Sequence, residues 1–157
     1  MVISWKQLTF VPTPEALEEF RSSWGWFVPD EMMAFMAATS GDLFFEAADG
    51  AVHWLDTGRG ELSRVAASRD EFLAAMRADG GNEWLMTPVV EELLGAGAVV
   101  GDGQCFGYKV LPILGGDYTA DNMVPMSAVA WYGSSGWYHQ QLHDLPDGTH
   151  VRLSVGE

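Results

Sequence analysis

An α+β fold, with a mainly antiparallel sheet packed against about four to five helices, follows from three observations on the 157 residues. Segments opened by Thr-Pro or Ser carry apolar residues at helical spacing. Between them the pattern changes to short apolar runs joined by turns too tight to connect parallel strands. Apolar residues make up 48% of the chain and charged residues 19%, and no linker, repeat or low-complexity stretch interrupts it. One compact domain over 1–157 is therefore expected, as an N-terminal helix pair at about 13–41 and a sheet-and-helix core at about 42–157.

Thr13-Pro14-Glu15 places a hydroxyl cap, a proline and an acid where a helix begins. Leu17, Phe20 and Trp24 then share one face, while Glu15, Glu18 and Glu19 face water and Gly25 ends the helix. Pro29-Asp30-Glu31 predicts a second helix with Met32, Phe35 and Met36 as its buried stripe and Gly41 as its stop. Leu43 to Ala47 and Ala51 to Asp56 flank Asp49-Gly50, a strong hairpin signal. After Gly58-Arg59-Gly60, Glu61 to Ala66 makes the third strand of an antiparallel meander.

Ser68 caps a helix predicted from Arg69 to about Asp79, with Phe72, Leu73 and Met76 inward and Gly80-Gly81 as its break. Thr87-Pro88 starts another, its face built from Leu85, Val89, Val90, Leu93 and Leu94. Gly103 to Leu111 has strand composition and is limited by Pro112, and Gly115-Gly116 is a turn. From Ser127, residues Ala128, Trp131, Ser135, Tyr138 and Leu142 recur at helical spacing. Gly133 and Gly136 each cost that helix about 1 kcal/mol, which predicts a kink or a split. Leu145-Pro146-Asp147-Gly148 turns into a last strand, His150 to Val155.

The charge balance restricts function. Twenty-two acidic residues stand against 8 basic ones, a formal charge of −14, and 17 of the acids precede Gly103. Such a field repels nucleic acid and anionic membranes and accelerates encounter with a basic partner. The basic residues (Lys6, Arg21, Arg59, Arg64, Arg69, Arg77, Lys109, Arg152) form no stripe interleaved with aromatics. The N-terminus lacks a basic stretch followed by an apolar run, and no segment approaches ~20 apolar residues. The cytoplasm is the expected location. Cys105 is the sole cysteine and is expected to be a buried, inert thiol.

The motif search favours binding over catalysis. His139 and His143 are four apart and would share a helix face, a spacing that suits two metal ligands with Asp144 or Asp147 as oxygen donors. Gln140 stands where an H-E-x-x-H motif needs glutamate. The glycines at 101, 103 and 107 precede a strand instead of opening a helix, so they are turns and not a phosphate loop. Glu18/Glu19, Asp30/Glu31, Asp70/Glu71 and Glu91/Glu92 are sequence neighbours that point about 100° apart on helices, so they cannot share a proton. No G-x-S-x-G elbow occurs. No catalytic residue, cofactor or metal is expected. The candidate partner-binding residues combine charge and rings: Glu91, Glu92, Asp102, Asp117, Tyr118, Asp121 and Trp137.

A family resemblance sharpens this. Trp54 to Gly58 (WLDTG), Asp70 to Phe72, Asn82-Glu83-Trp84, Gly103 to Tyr108 (GQCFGY), Leu111 to Gly116 (LPILGG), Asp121-Asn122 and Leu145 to Thr149 (LPDGT) resemble the C-terminal domain of immunity proteins against DNase toxins of type VI secretion. Trp24-Gly25, Pro29, Phe35 and Gly41 are similar to the helix pair that opens those proteins, with a more distant similarity to the SMI1/KNR4-like immunity superfamily. The resemblance implies a non-enzymatic, acidic, cytoplasmic bacterial protein that binds and blocks a cognate toxin, often a nuclease; a monomer or weak homodimer is expected. The rival reading is a small metal-dependent or ligand-binding enzyme using His139 and His143, and a third is a regulatory binding module of the same fold.

Overall fold

The computed structural model describes residues 3–78 and 80–152. Its elements are, in order, α1 (Trp5–Leu8), β1 (Thr9–Phe10), α2 (Pro14–Trp24), β2 (Met33–Ala38), β3 (Leu43–Glu46), β4 (Val52–Asp56) and β5 (Glu61–Ala66). Three helices follow, α3 (Arg69–Arg77), α4 (Gly80–Leu85) and α5 (Thr87–Gly95). The chain then forms β6 (Gln104–Tyr108), two 3-10 turns at Pro112–Leu114 and Ala120–Asn122, β7 (Met123–Ser127) and α6 (Ala128–Leu142). The expected α+β class holds: β1 to β5 form one antiparallel sheet in chain order, and β6 and β7 form a separate two-stranded one.

The caps form where the side-chain chemistry places them. Thr13 Oγ1 accepts from Ala16 N at 3.1 Å, Ser68 Oγ from Glu71 N at 3.2 Å and Ser127 Oγ from Ala130 N at 3.3 Å. The meander is built on Leu43↔Leu55 and Leu55↔Leu62 pairs. Its first turn is closed by Asp49 Oδ1 accepting from Ala51 N, with Gly50 at φ +86°.

The expected second helix of the N-terminal pair is a strand. Met33–Ala38 pairs with β1 on one side and β3 on the other, and Gly41 lies in the β2–β3 turn. Ala34 faces Phe45 and Met36 faces Phe44, so Phe35 is an extra, bulged residue. That bulge breaks the two-residue alternation and leaves Met32, Phe35 and Met36 at a spacing that mimics a helix. The preceding turn is held by Met32 N donating to Pro29 O and by the Arg21 guanidinium, which donates to the Pro29 and Met32 carbonyls.

Other expectations change as well. Among the described residues there are six helices, the short α1 and α4 being the unexpected ones. Gly80-Gly81 opens α4 instead of ending structure: a Cβ on Gly81 would lie 2.5 Å from the Met76 carbonyl, so only glycine permits α4 to fold back on α3. Asp79, the expected end of α3, lies outside the described residues. Thr87 is the first helical residue of α5, not its cap; Met86 precedes it in the left-handed region at φ 51°. Helix α6 runs unbroken through Gly133 and Gly136. Residues 150–152 form no strand, and 153–155 of the expected last strand lie outside the described residues.

Helices α2 and α6 pack against each other, and their aromatics reach the sheet. Phe20, Trp24, Phe45 and Tyr132 are all essentially inaccessible, and Phe20 touches each of the other three rings. A second aromatic group, Phe44, Phe72 and Trp84, joins α3 and α4 to β3. No described helix is long and apolar enough to cross a membrane.

Candidate functional site

The polar centre of the molecule forms where the β2–β3 turn meets the end of β4. Gly41, at φ +102°, lets the chain pass close beneath the Trp131 indole, and Asp42 follows it with only 4% of its surface exposed. Asp42 Oδ1 accepts from Thr57 N and Thr57 Oγ1, both at 2.9 Å, and Oδ2 accepts from Trp54 Nε1 at 3.0 Å. The Thr57 hydroxyl, having donated to Asp42, accepts from Trp131 Nε1 at 3.1 Å. Two tryptophans, a threonine and a buried acid thus tie β4 to α6.

Asp56, 9% exposed, belongs to the same unit. Its Oδ1 accepts from Gly58 N at 3.0 Å and Arg59 N at 3.1 Å, which organises the turn into β5. Its Oδ2 accepts from the Tyr118 hydroxyl at 3.2 Å. The Arg59 guanidinium stands over the Tyr118 ring, 5.4 Å from its centroid.

Burial raises the pKa of Asp42 well above the usual carboxylate range, and the nearby Asp56 charge raises it further, against the hydrogen bonds from Thr57 and Trp54. Burial also raises Asp56, countered by the Arg59 amide and then by the Tyr118 hydroxyl. Tyr108 and Tyr118 are pushed upward, each first by burial and then by these carboxylates. Cys105 is buried as expected, and desolvation followed by the Asp42 charge pushes its thiol up to about 12.

These acids line a cavity of about 380 Å³ between β4 and the α4–α5 segment. Met86, Pro88 and Val89 form its apolar side, Trp54 and Tyr118 supply rings, and Asn82 and Glu83 stand exposed at its edge.

The histidine pair of the rival metal-site reading forms no shared ligand set among the described residues. The His139 ring is buried on Gly60, its Nε2 lies 2.8 Å from the Thr57 carbonyl, and desolvation lowers its pKa. The His143 ring packs instead on Trp26 and Phe27, at 5.0 and 5.9 Å. Among the described residues no group of three or more His, Cys, Asp or Glu side chains could hold a metal ion.

The expected partner-binding residues fall into separate places. Glu91 and Glu92 lie on α5, which packs against the Ala120–Asn122 turn carrying Asp121. Asp117 is joined to that turn through Asn122 Nδ2, which donates to its carbonyl at 2.9 Å. Tyr118 turns inward to Asp56. Asp102 lines a different depression, with Lys6 and Thr13, and Trp137 is 56% exposed on α6, edge-on to Tyr138. Sequence reasoning missed Asp42 and Asp56. The available signal was an acid directly abutting an apolar run, Asp42 before Leu-Phe-Phe and Asp56 after Val-His-Trp-Leu.

The fold is shared with a solved protein, the crystal structure of Atu4351 from Agrobacterium tumefaciens, at a TM-score of 0.61 and 18% identity, covering 85% of this chain and 68% of that one. Within that fold, residues 66–133 match the family described as "T6SS immunity protein Tdi1, C-terminal". The matched stretch runs from the end of β5 to the first turns of α6 and contains the Gly103–Tyr108 and Leu111–Gly116 motifs. The Trp54–Gly58 and Leu145–Thr149 motifs lie outside it. No curated protein matches the chain in sequence.

Proposed function

We propose that this protein is a bacterial immunity protein of type VI secretion that binds a cognate toxin in the cytoplasm and neutralises it by occlusion, catalysing no reaction itself. The match of residues 66–133 to a type VI immunity family carries the reading. The formal charge of −14 supports a basic toxin, with a nuclease as the fitting case, because an acidic inhibitor occupies the electrostatic footprint of DNA. Glu91, Glu92, Asp117, Tyr118 and Asp121 form the proposed contact surface, with Asp102 and Trp137 as outlying contacts.

The test is co-expression with the toxin encoded beside its gene, together with titration calorimetry of the purified pair. Restored growth and a stoichiometric complex are expected. Continued killing, with no heat of binding, would refute the reading. Replacing Glu91, Glu92 and Asp121 by lysine is expected to slow association at least tenfold at low salt, with a smaller difference at high salt.

A further inference from the structure

The cavity beside Asp42 and Asp56 has a property that its structural role leaves unused. A carboxylate offers about four acceptor positions, two on each oxygen. Oδ1 of Asp42 is filled by the Thr57 amide and hydroxyl, and Oδ1 of Asp56 by the Gly58 and Arg59 amides. Each Oδ2 accepts one bond only, from Trp54 in one case and Tyr118 in the other. One acceptor position therefore stays open on each of two buried oxygens, and both residues line the same cavity.

Among the described residues neither carboxylate forms an ion pair within 4.0 Å, although the Arg59 charge acts on Asp56. The ion pair closer than 4.0 Å among the described residues joins Arg69 to Glu46, at the opposite end of β3 from Asp42. Arg59, the basic residue of the cavity lining, lies over the Tyr118 ring without pairing to Asp56. Counting Glu83 at the edge, three acids face one base.

We infer that this cavity receives an organic cation, a guanidinium or primary ammonium group carried on an apolar stem. Oδ2 of Asp42 and Oδ2 of Asp56 accept its N–H groups, the Trp54 and Tyr118 rings flank its charge, and Met86, Pro88 and Val89 take its methylenes. An anion would meet the Asp42–Asp56 acid pair, with Glu83 at the edge. No third His, Cys, Asp or Glu joins the pair in a group that could hold a metal ion among the described residues. The volume of about 380 Å³ falls within the range of small-ligand sites. That Arg59 already rests its guanidinium on the outer ring shows which chemistry the rings accept.

The same head group can come from a free amine or guanidine, or from a Lys or Arg side chain of a bound protein. The inference rests on the cavity and not on the toxin reading, so the two fail separately. The experiment titrates the full-length, nitrogen-15-labelled protein with n-butylguanidinium, n-butylammonium and the neutral control pentanamide at fixed ionic strength. It follows the Trp54 indole and Thr57 amide signals. Both cations are expected to shift both signals saturably, and pentanamide is not.

Asp56→Asn is expected to weaken the apparent affinity at least tenfold. Asparagine keeps the acceptor for the Gly58 and Arg59 amides, and its Nδ2–H₂ can donate to the Tyr118 oxygen. Asn82→Trp, at the exposed edge, is expected to block uptake without touching the core and decides the matter if Asp56→Asn does not fold. Shifts that fail to saturate, that pentanamide reproduces, or that survive both variants would overturn the inference. A toxin complex that excludes n-butylguanidinium identifies a partner side chain as the occupant; a complex that still takes it identifies a free ligand.

Discussion

Gly133 and Gly136 stand three residues apart on the same continuous helix, and alanine at each is expected to change stability in opposite directions. Alanine is favoured over glycine in a helix interior by about 1 kcal/mol, and this gain applies at both positions. At Gly133 an added Cβ would meet Glu19 Oε1 at 2.5 Å, the far end of a half-buried and flexible side chain. The carboxylate can swing aside, so most of the gain survives. At Gly136 the added Cβ would lie 2.5 Å from the Ser23 carbonyl oxygen and 2.8 Å from Ser23 C and Cβ. Relief to ordinary contact at 3.4 Å would require α2 to withdraw by roughly 0.9 Å along the seam that holds Phe20 and Trp24. Overpacking of that kind costs about 1–3 kcal/mol, which outweighs the propensity gain. Gly133→Ala is therefore expected to raise Tm by about 2–4 °C and Gly136→Ala to lower it by about the same amount or more. Thermal unfolding followed by circular dichroism measures both Tm shifts, and urea unfolding read by tryptophan fluorescence, with the m-value required to stay constant, measures the free-energy changes. Equal shifts of the same sign would refute the view that Gly136 is a contact glycine.

Four further outcomes follow from the polar centre. Asp42 and Asp56 have raised pKa values in the fold, so their contribution to stability is full below the ordinary carboxyl pKa and is lost as pH rises through the raised ones; urea midpoints from pH 4 to 9 should show this decline, and Asp56→Asn should flatten it. His139 is lowered, so its contribution is full above about pH 6.5 and is lost as pH falls below it; His139→Gln, which keeps a donor for the Thr57 carbonyl, should remove that acid limb. Thr57→Val strips the acceptor of Trp131 Nε1–H and a donor to Asp42, and should cost about 1–3 kcal/mol in the same urea assay. The Cys105 thiol, buried and pushed up to about 12, should react with a thiol reagent at pH 8 only as fast as the protein opens; labelling at the rate of a free thiol would contradict this.

What was legible in the sequence was local. Thr13 and Ser68 cap because a hydroxyl before an apolar period satisfies free amides whatever lies around it. The Asp49-Gly50 hairpin likewise depends on its own turn alone. The misreadings came from tertiary causes. Phe35 enters the β2 ladder as a bulge, and no local signal separates that from a helical stripe. Gly133 and Gly136 weaken α6 in isolation, yet the close approach of α2 needs Gly136, and packing overrides propensity. β7 escaped notice because Pro125 lies within it; in a two-stranded ladder opposite Phe106 the missing donor is tolerated. The candidate site was the least legible part. Asp56 and Tyr118 are 62 residues apart, and only the closed fold shows that they share a hydrogen bond.

The central claim is that this acidic protein acts by engaging another macromolecule. Growth of cells expressing the neighbouring toxin measures it most directly, comparing the wild-type protein with the Glu91→Lys, Glu92→Lys, Asp121→Lys triple variant at equal abundance. The account predicts survival with the wild type and loss of protection with the variant. Killing in both cultures, or equal survival in both, would contradict it, the first denying immunity and the second denying the acidic surface its role.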